Sequence, residues 1–180
     1  MSLAADIIAI YRARGAQAYY GEPVSMTEHG LQAAHFAQAA GAPGPLVLAA
    51  LLHDIGHLLE SVPDLIEEWH VDAHHERLGA RWLARAFGEE ICEPVRLHVP
   101  AKRYLCASDA GYFARLSAAS VHTLKLQGGP MAAHEVAQFQ SERYWREAVQ
   151  VRRWDDQGKV AGLATAALEE YAQLIERLAR

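Results

Sequence analysis

Cysteine is nearly absent from this chain. The two that occur, Cys92 and Cys106, belong to no CxxC pair, which excludes a disulfide framework or a thiolate zinc site as an organising element. They read as small apolar residues of a chain kept in a reducing compartment. Long basic runs and interleaved basic and aromatic segments are also missing, and the formal charge is −5; a nucleic-acid surface is therefore not expected. No stretch reaches the roughly 20 consecutive apolar residues that a bilayer-spanning helix needs. The opening "MSLAADIIAIYRARG" holds only a short apolar segment with an acid inside it, so the reading is a cytoplasmic protein with no membrane partner. A Gly-rich dinucleotide fingerprint is lacking as well. What these absences leave is a protein whose partner is a small solute.

What is present is apolar, helical and sized for one core. A chain of 180 residues, 51% hydrophobic and 22% charged, suits a single domain over 1–180. Apolar residues recur with the 3.6-residue helical period, and alternating strand patterns are scarce. The expected helices run near 3–19, 26–40, 45–60, 72–87, 94–99, 101–123, 130–138, 141–156 and 162–179. Ser25 with Glu28 forms a capping box, Pro45, Pro94 and Pro130 suit first turns, and "GAPGP" separates two helices. The fold class is all-α.

Within that pattern, "LLHDIGH" at 51–57 places polar groups where a core should continue. On a helix over 45–60, His53 shares a face with Leu46, Ala49, Ala50 and His57, and Asp54 lies about 100° away with Val47, Ala50 and Leu58. A buried carboxylate costs several kcal/mol unless it is paired or bound to a metal. Other apolar faces present similar groups: His29 beside Ala33 and Phe36, His75 beside Leu78 and Gly79, His98 beside Ile91 and Val95, and Asp155 beside Ala148 and Val151. Any one of these histidines alone is more often a packing residue than a ligand. Together they form an imidazole and carboxylate set suited to divalent metals, of the kind helix bundles assemble from facing helices. One carboxylate next to an imidazole can bridge two ions.

The His29, His53-Asp54, Asp155 skeleton resembles the HD-domain superfamily, and His75 and His98 resemble its dinuclear subgroup. "HERLGARWL" favours His75 over the adjacent His74. Most of that superfamily hydrolyses phosphate esters, so a metal-dependent phosphohydrolase is the alternative function, and a non-catalytic HD-like binding module is a weaker one. "YYGEPVSMTEHGLQAA", "LLHDIGHLL", "HVPAKRYL", "SVHTLKLQGGPM" and "RRWDD" more specifically resemble the mixed-valence di-iron oxygenases that cleave carbon–phosphorus bonds, over about 19–157.

That resemblance implies two iron ions, Fe(II)/Fe(III), with His29, His53, Asp54 and Asp155 on one, His75 and His98 on the other, and Asp54 bridging. It implies Lys102, Arg152, Ser120, Thr123 and Gln127 as phosphonate contacts, while Arg153 reads as a surface cation. Spacing agrees for Arg152, which shares a helical face with Asp155. Tyr19, Gly21 and Glu22 match a loop over the open iron position that holds off oxygen until substrate arrives. His57 matches a position near the substrate hydroxyl, where an imidazole can orient a neighbour or move a proton. His35, His70, His122 and His134 have no comparable match. The implied reaction joins O2 to a 1-hydroxyphosphonate, giving phosphate and a carboxylic acid. The expected substrate is 2-amino-1-hydroxyethylphosphonate, which the loop favours slightly, or its N-trimethyl analogue, with Tyr19, Tyr20, Tyr104 and Trp154 as possible walls for a quaternary ammonium.

Overall fold

A computed structural model describes residues 2–59 and 74–180. Among the described residues ten α-helices follow in chain order. They are α1 (Leu3–Arg14), α2 (Met26–Ala39), α3 (Gly44–Leu52), α4 (Ile55–Leu59), α5 (His75–Leu83), α6 (Glu89–Ser108), α7 (Ala118–Leu126), α8 (Ala133–Ser141), α9 (Trp145–Gln157) and α10 (Ala172–Leu178), with short 3-10 turns at Phe113–Arg115 and Leu168–Tyr171. Among the described residues there is no strand, only an isolated bridge between Ala18 and Ser25. The all-α expectation holds.

The middle of the bundle is α3, which is apolar on every face: Leu48, Leu51 and Leu52 are fully buried, as is Ile55 just beyond it. Burying each such side chain stabilises the fold by roughly 1.5–3 kcal/mol. Helices α2, α6 and α9 pack around α3, and α5 lies against α4 and α6. A smaller cluster of Leu97, Ala101, Phe139 and Ala148 ties α8 to α6 and α9.

Several boundaries differ from the sequence expectation, each for a local reason. The first helix stops at Arg14, with Gly15 as its C-cap, so Tyr19–Glu22 is a loop. The expected 45–60 helix breaks at His53-Asp54 into α3 and α4, and its last residue lies outside the described residues, as do His70 and the start of the expected 72–87 helix. Pro94 and Pro100 do not begin helices; both lie inside α6, which runs 20 residues. Each removes one i to i−4 bond, and burial of Ile91, Val95, Leu97, Val99 and Leu105 along the helix outweighs that loss. Residues 109–117 are not helical throughout, and the last expected helix shortens to a 3-10 turn and α10. The Ser25 and Glu28 capping box is present, with Glu28 N–H donating to Ser25 Oγ and Ser25 N–H to Glu28 Oε2.

Candidate metal centre and anion pocket

The break between α3 and α4 turns two consecutive side chains into one space. His53 is the C-cap of α3, and its Nδ1–H donates to the Ala50 carbonyl three residues back at 2.8 Å. His98 repeats the device on α6, with Nδ1–H donating to Val95 O at 2.7 Å. His29 donates from Nδ1 to Gly158 O at 2.9 Å. Each bond fixes the ring and turns Nε2 inward, as metal-binding imidazoles are held.

Those inward atoms converge on Asp54. Its Oδ2 lies 3.6 Å from His29 Nε2 and 3.4 Å from His53 Nε2. Its Oδ1 lies 3.2 Å from His75 Nε2 and 3.4 Å from His98 Nε2. Asp155 completes the first group, 3.4 Å from His29 Nε2 and 3.9 Å from His53 Nε2. All six side chains are buried. One carboxylate oxygen therefore faces each cluster of nitrogens, which is the arrangement a bridging ligand needs. Burial alone would raise the Asp54 carboxyl, but the His53, His75 and His98 rings hold it well below the usual carboxylate range. Asp155 is held low by Arg152 and His29 against the same burial, and its Oδ1 is buried with no hydrogen-bond partner. An orphaned anionic oxygen beside a lone-pair nitrogen fits a cation between them. His74 stands outside the cluster, its side chain 58% exposed.

The loop expected to cover the centre lies on it. Tyr19 stacks on His29 with ring centroids 3.8 Å apart; burial, and then Asp54, drive its phenol far above the ordinary range. Left-handed backbone at Tyr20 (φ 44) and Gly21 (φ 77) turns the chain, and Glu22 follows with its side chain 11% exposed. His57 stacks on His75 at 3.8 Å, and its Nδ1 is 2.5 Å from the Tyr20 hydroxyl. Of the suggested aromatic wall, only Tyr19 and Tyr20 have ring contacts with the site's histidines; Tyr104 packs on Phe139 and Trp145, and Trp154 belongs to the main core.

Beside the metal cluster, α7 presents Ser120 and Thr123. Lys102 Nζ, 3% exposed as a residue, donates to Thr123 Oγ1 at 2.8 Å. Burial and then Arg152 pull its pKa down to about 7. Gln127 caps α7, and its buried Oε1 has no hydrogen-bond partner. Arg152 is more engaged than the sequence implied: it donates to Asp155 Oδ2 at 2.6 Å and Tyr112 Oη at 2.9 Å, and also pairs with Asp156. Its Nη2 lies 3.5 Å from Ser120 Oγ. Tyr112 in turn donates to Asp156 Oδ2 at 2.5 Å. Sequence reasoning missed Tyr112, Asp156 and Lys159; the i, i+4 spacing of Arg152 and Asp156 was the one available signal. Arg153 is a half-exposed cation near Asp109, as expected.

The family model that matches this chain is the HD domain, over residues 26–155. The chain belongs to the HD-domain family. Two relatives align over most of its length: hydroxymethylphosphonate dioxygenase of Gimesia maris, 47% identical over 89% of this chain and 80% of the relative, and the glycine-betaine-forming 1-hydroxy-2-(trimethylamino)ethylphosphonate dioxygenase of Leisingera caerulea, 44% identical over 94% of this chain and 86% of the relative. The His/Asp cluster groups side chains that could hold a metal ion within an HD-domain fold. Among the described residues no helix is long and apolar enough to cross a membrane.

Proposed function

We propose that this protein is a di-iron dioxygenase that cleaves the carbon–phosphorus bond of a 1-hydroxyphosphonate. The observation that carries the reading is the near-full-length identity to two proteins named as hydroxyphosphonate dioxygenases, which favours oxidation over phosphate-ester hydrolysis. The donor set agrees with it. Imidazole and carboxylate without thiolate suit iron, with His29, His53, Asp155 and Asp54 as one ligand group and His75, His98 and the other Asp54 oxygen as the second. When bound, the metal pair supplies O2 activation and charge stabilisation for the reacting hydroxyl and phosphonate oxygens.

The net reaction is R–CH(OH)–PO3²⁻ + O2 → R–COO⁻ + HPO4²⁻ + H⁺. The carbon gives up its bonds to hydrogen and phosphorus, and its four electrons reduce O2, so no external reductant is required. In this reading the chain's residues position and shield. Lys102, Thr123, Ser120 and Gln127 hold the phosphonate, with charge-assisted hydrogen bonds from the ammonium. Arg152 fixes Asp155 and adds positive charge. His57, oriented by Tyr20, faces the hydroxylated carbon and carries a proton. Tyr19 and Glu22 close the open side until substrate displaces them.

Anaerobic iron reconstitution followed by single turnover tests this, with O2 uptake and phosphate release recorded together. Hydroxymethylphosphonate, 2-amino-1-hydroxyethylphosphonate and its N-trimethyl analogue are the three substrates to compare. Equal O2 uptake and phosphate release is expected for at least one. Hydrolysis of a phosphate ester with no O2 uptake would overturn the reading in favour of a phosphohydrolase.

A further inference from the structure

One turn of α7 holds an ammonium at each of its two hydroxyls. Lys102 Nζ donates to Thr123 Oγ1 at 2.8 Å, and Lys159 Nζ donates to Ser120 Oγ at 2.9 Å. Thr123 Oγ1 is itself tied to the Ser120 carbonyl at 3.2 Å, so the two lysines are set by a single rigid element. Lys159 comes from a separate segment: it follows Gly158, whose carbonyl accepts from His29. Its side chain is only 11% exposed.

The other neighbours of Lys159 belong to the covering loop. Its Nζ lies 3.5 Å from Glu22 Oε1 and 5.8 Å from the centroid of the Tyr19 ring. That Glu22 oxygen is buried and has no hydrogen-bond partner, so it is balanced by charge without being bonded. A partly buried ammonium shared between a neutral hydroxyl and a loosely placed carboxylate gains more from a dianion that accepts a short hydrogen bond.

We infer that Lys159 is the second ammonium of the anion pocket, and that Glu22 on the 19–22 loop competes with the anion for it. A tetrahedral dianion over the Ser120–Thr123 turn takes Lys102 on one side and Lys159 on the other. Lys159 then leaves Glu22, and the loop loses the ion pair that holds it over the site. Arrival of the phosphonate and release of the cover thus become one exchange of partners. This role rests on the anion pocket of the proposed function.

The test uses inorganic phosphate as the probe, titrated by calorimetry into the iron-loaded, anaerobic protein. K159Q is expected to raise the phosphate Kd about 10- to 100-fold, and K159R to stay within about threefold of wild type. Removing the competitor with E22Q is expected to tighten phosphate about threefold, a gain that a purely structural Lys159 would not produce. In turnover, K159Q is expected to raise KM far more than it lowers kcat. A K159Q Kd within twofold of wild type, with helical content retained, would overturn the anion role, and E22Q with unchanged or weaker binding would overturn the competition. Phosphate binding does not require oxygenation. Loss of binding in K159Q alongside a wild type that consumes no O2 would therefore reject the proposed function and leave this inference standing.

Discussion

The Lys102 ammonium is buried beside Arg152, and these two influences lower its pKa to about 7 while Asp155 and Asp156 oppose them and Lys159 adds to them. The sign for stability follows directly. A lysine depressed from 10.5 to about 7 binds fewer protons folded than unfolded between those values, so it makes stability rise with pH across that window and imposes its full penalty below about 7. The consequence for binding runs the other way, because only the ammonium form attracts an anion. Phosphate affinity is therefore expected to fall as pH rises from 7 to 9, against the gain that ionisation of phosphate to its dianion would bring. K102Q should bind weakly at all pH values and lose that dependence; calorimetric titration at several pH values checks it, and an identical pH profile in K102Q would remove Lys102 from the role. A second residue-scale expectation concerns Asp54, whose two oxygens face the two nitrogen clusters. D54N keeps the shape but supplies one neutral oxygen and an amide donor aimed at the Nε2 atoms on one side. Iron content after reconstitution should drop below one ion per chain and turnover by about 100-fold or more, whereas two retained irons would show that Asp54 is not the bridge.

At the scale of elements, the junction of α4 and α5 decides whether the second cluster can exist. A Cβ built on Gly56 would lie 2.0 Å from the His75 carbonyl oxygen and 3.1 Å from Gly79 N, so the glycine in "LLHDIGH" is what lets the start of α5 sit against α4. G56A must push α5 away, and His75 moves with it. The expected result is destabilisation of about 1–3 kcal/mol from overpacking, with iron occupancy falling more on the His75 and His98 side than on the other. Thermal melting, with iron counting and Mössbauer spectra to separate the two positions, measures both; an unshifted melt with two irons would contradict the tight approach. The same stretch illustrates how far sequence reading reached. His53, Asp54 and His98 were legible because polar groups on otherwise apolar faces need a partner. The break at His53-Asp54 was not, since nothing in an unbroken apolar period marks a turn whose residues satisfy themselves through the bond from His53 to the Ala50 carbonyl. Likewise Pro94 suggested a helix start and Pro100 a break by local preference, and tertiary burial carried α6 through both. Lys159 lies beyond α9 with no periodic signal of its own, so only the returning fold could bring it to Ser120 and Glu22.

Across the whole molecule, side chains from α2, the end of α3, α5, α6 and α9 meet at one point, so the candidate metal site is also the place where the bundle is joined. Without metal, the Asp54 and Asp155 charges are balanced by nearby imidazoles, Arg152 and Lys159, while Asp155 Oδ1 lacks any hydrogen bond. The apolar core, with Leu48, Leu51, Leu52, Ile55 and Ile91 fully buried, does not depend on those charges, so the metal-free chain should remain helical and cooperative. Metal that binds only the folded chain adds stability by mass action, about 2.7 kcal/mol for a site held at 100 times its Kd. For a domain of this size each kcal/mol corresponds to roughly 2–4 °C. Removing iron with a chelator under anaerobic conditions is therefore expected to lower Tm by at least about 5 °C while leaving far-ultraviolet circular dichroism at 20 °C nearly unchanged, and re-adding iron should restore the melt. An unchanged Tm would mean that the five elements are held together without the ion. Loss of helix at 20 °C would mean that the cluster organises the core instead of resting on it, and D54N and G56A would then have to be judged as folding variants before they could be judged as site variants.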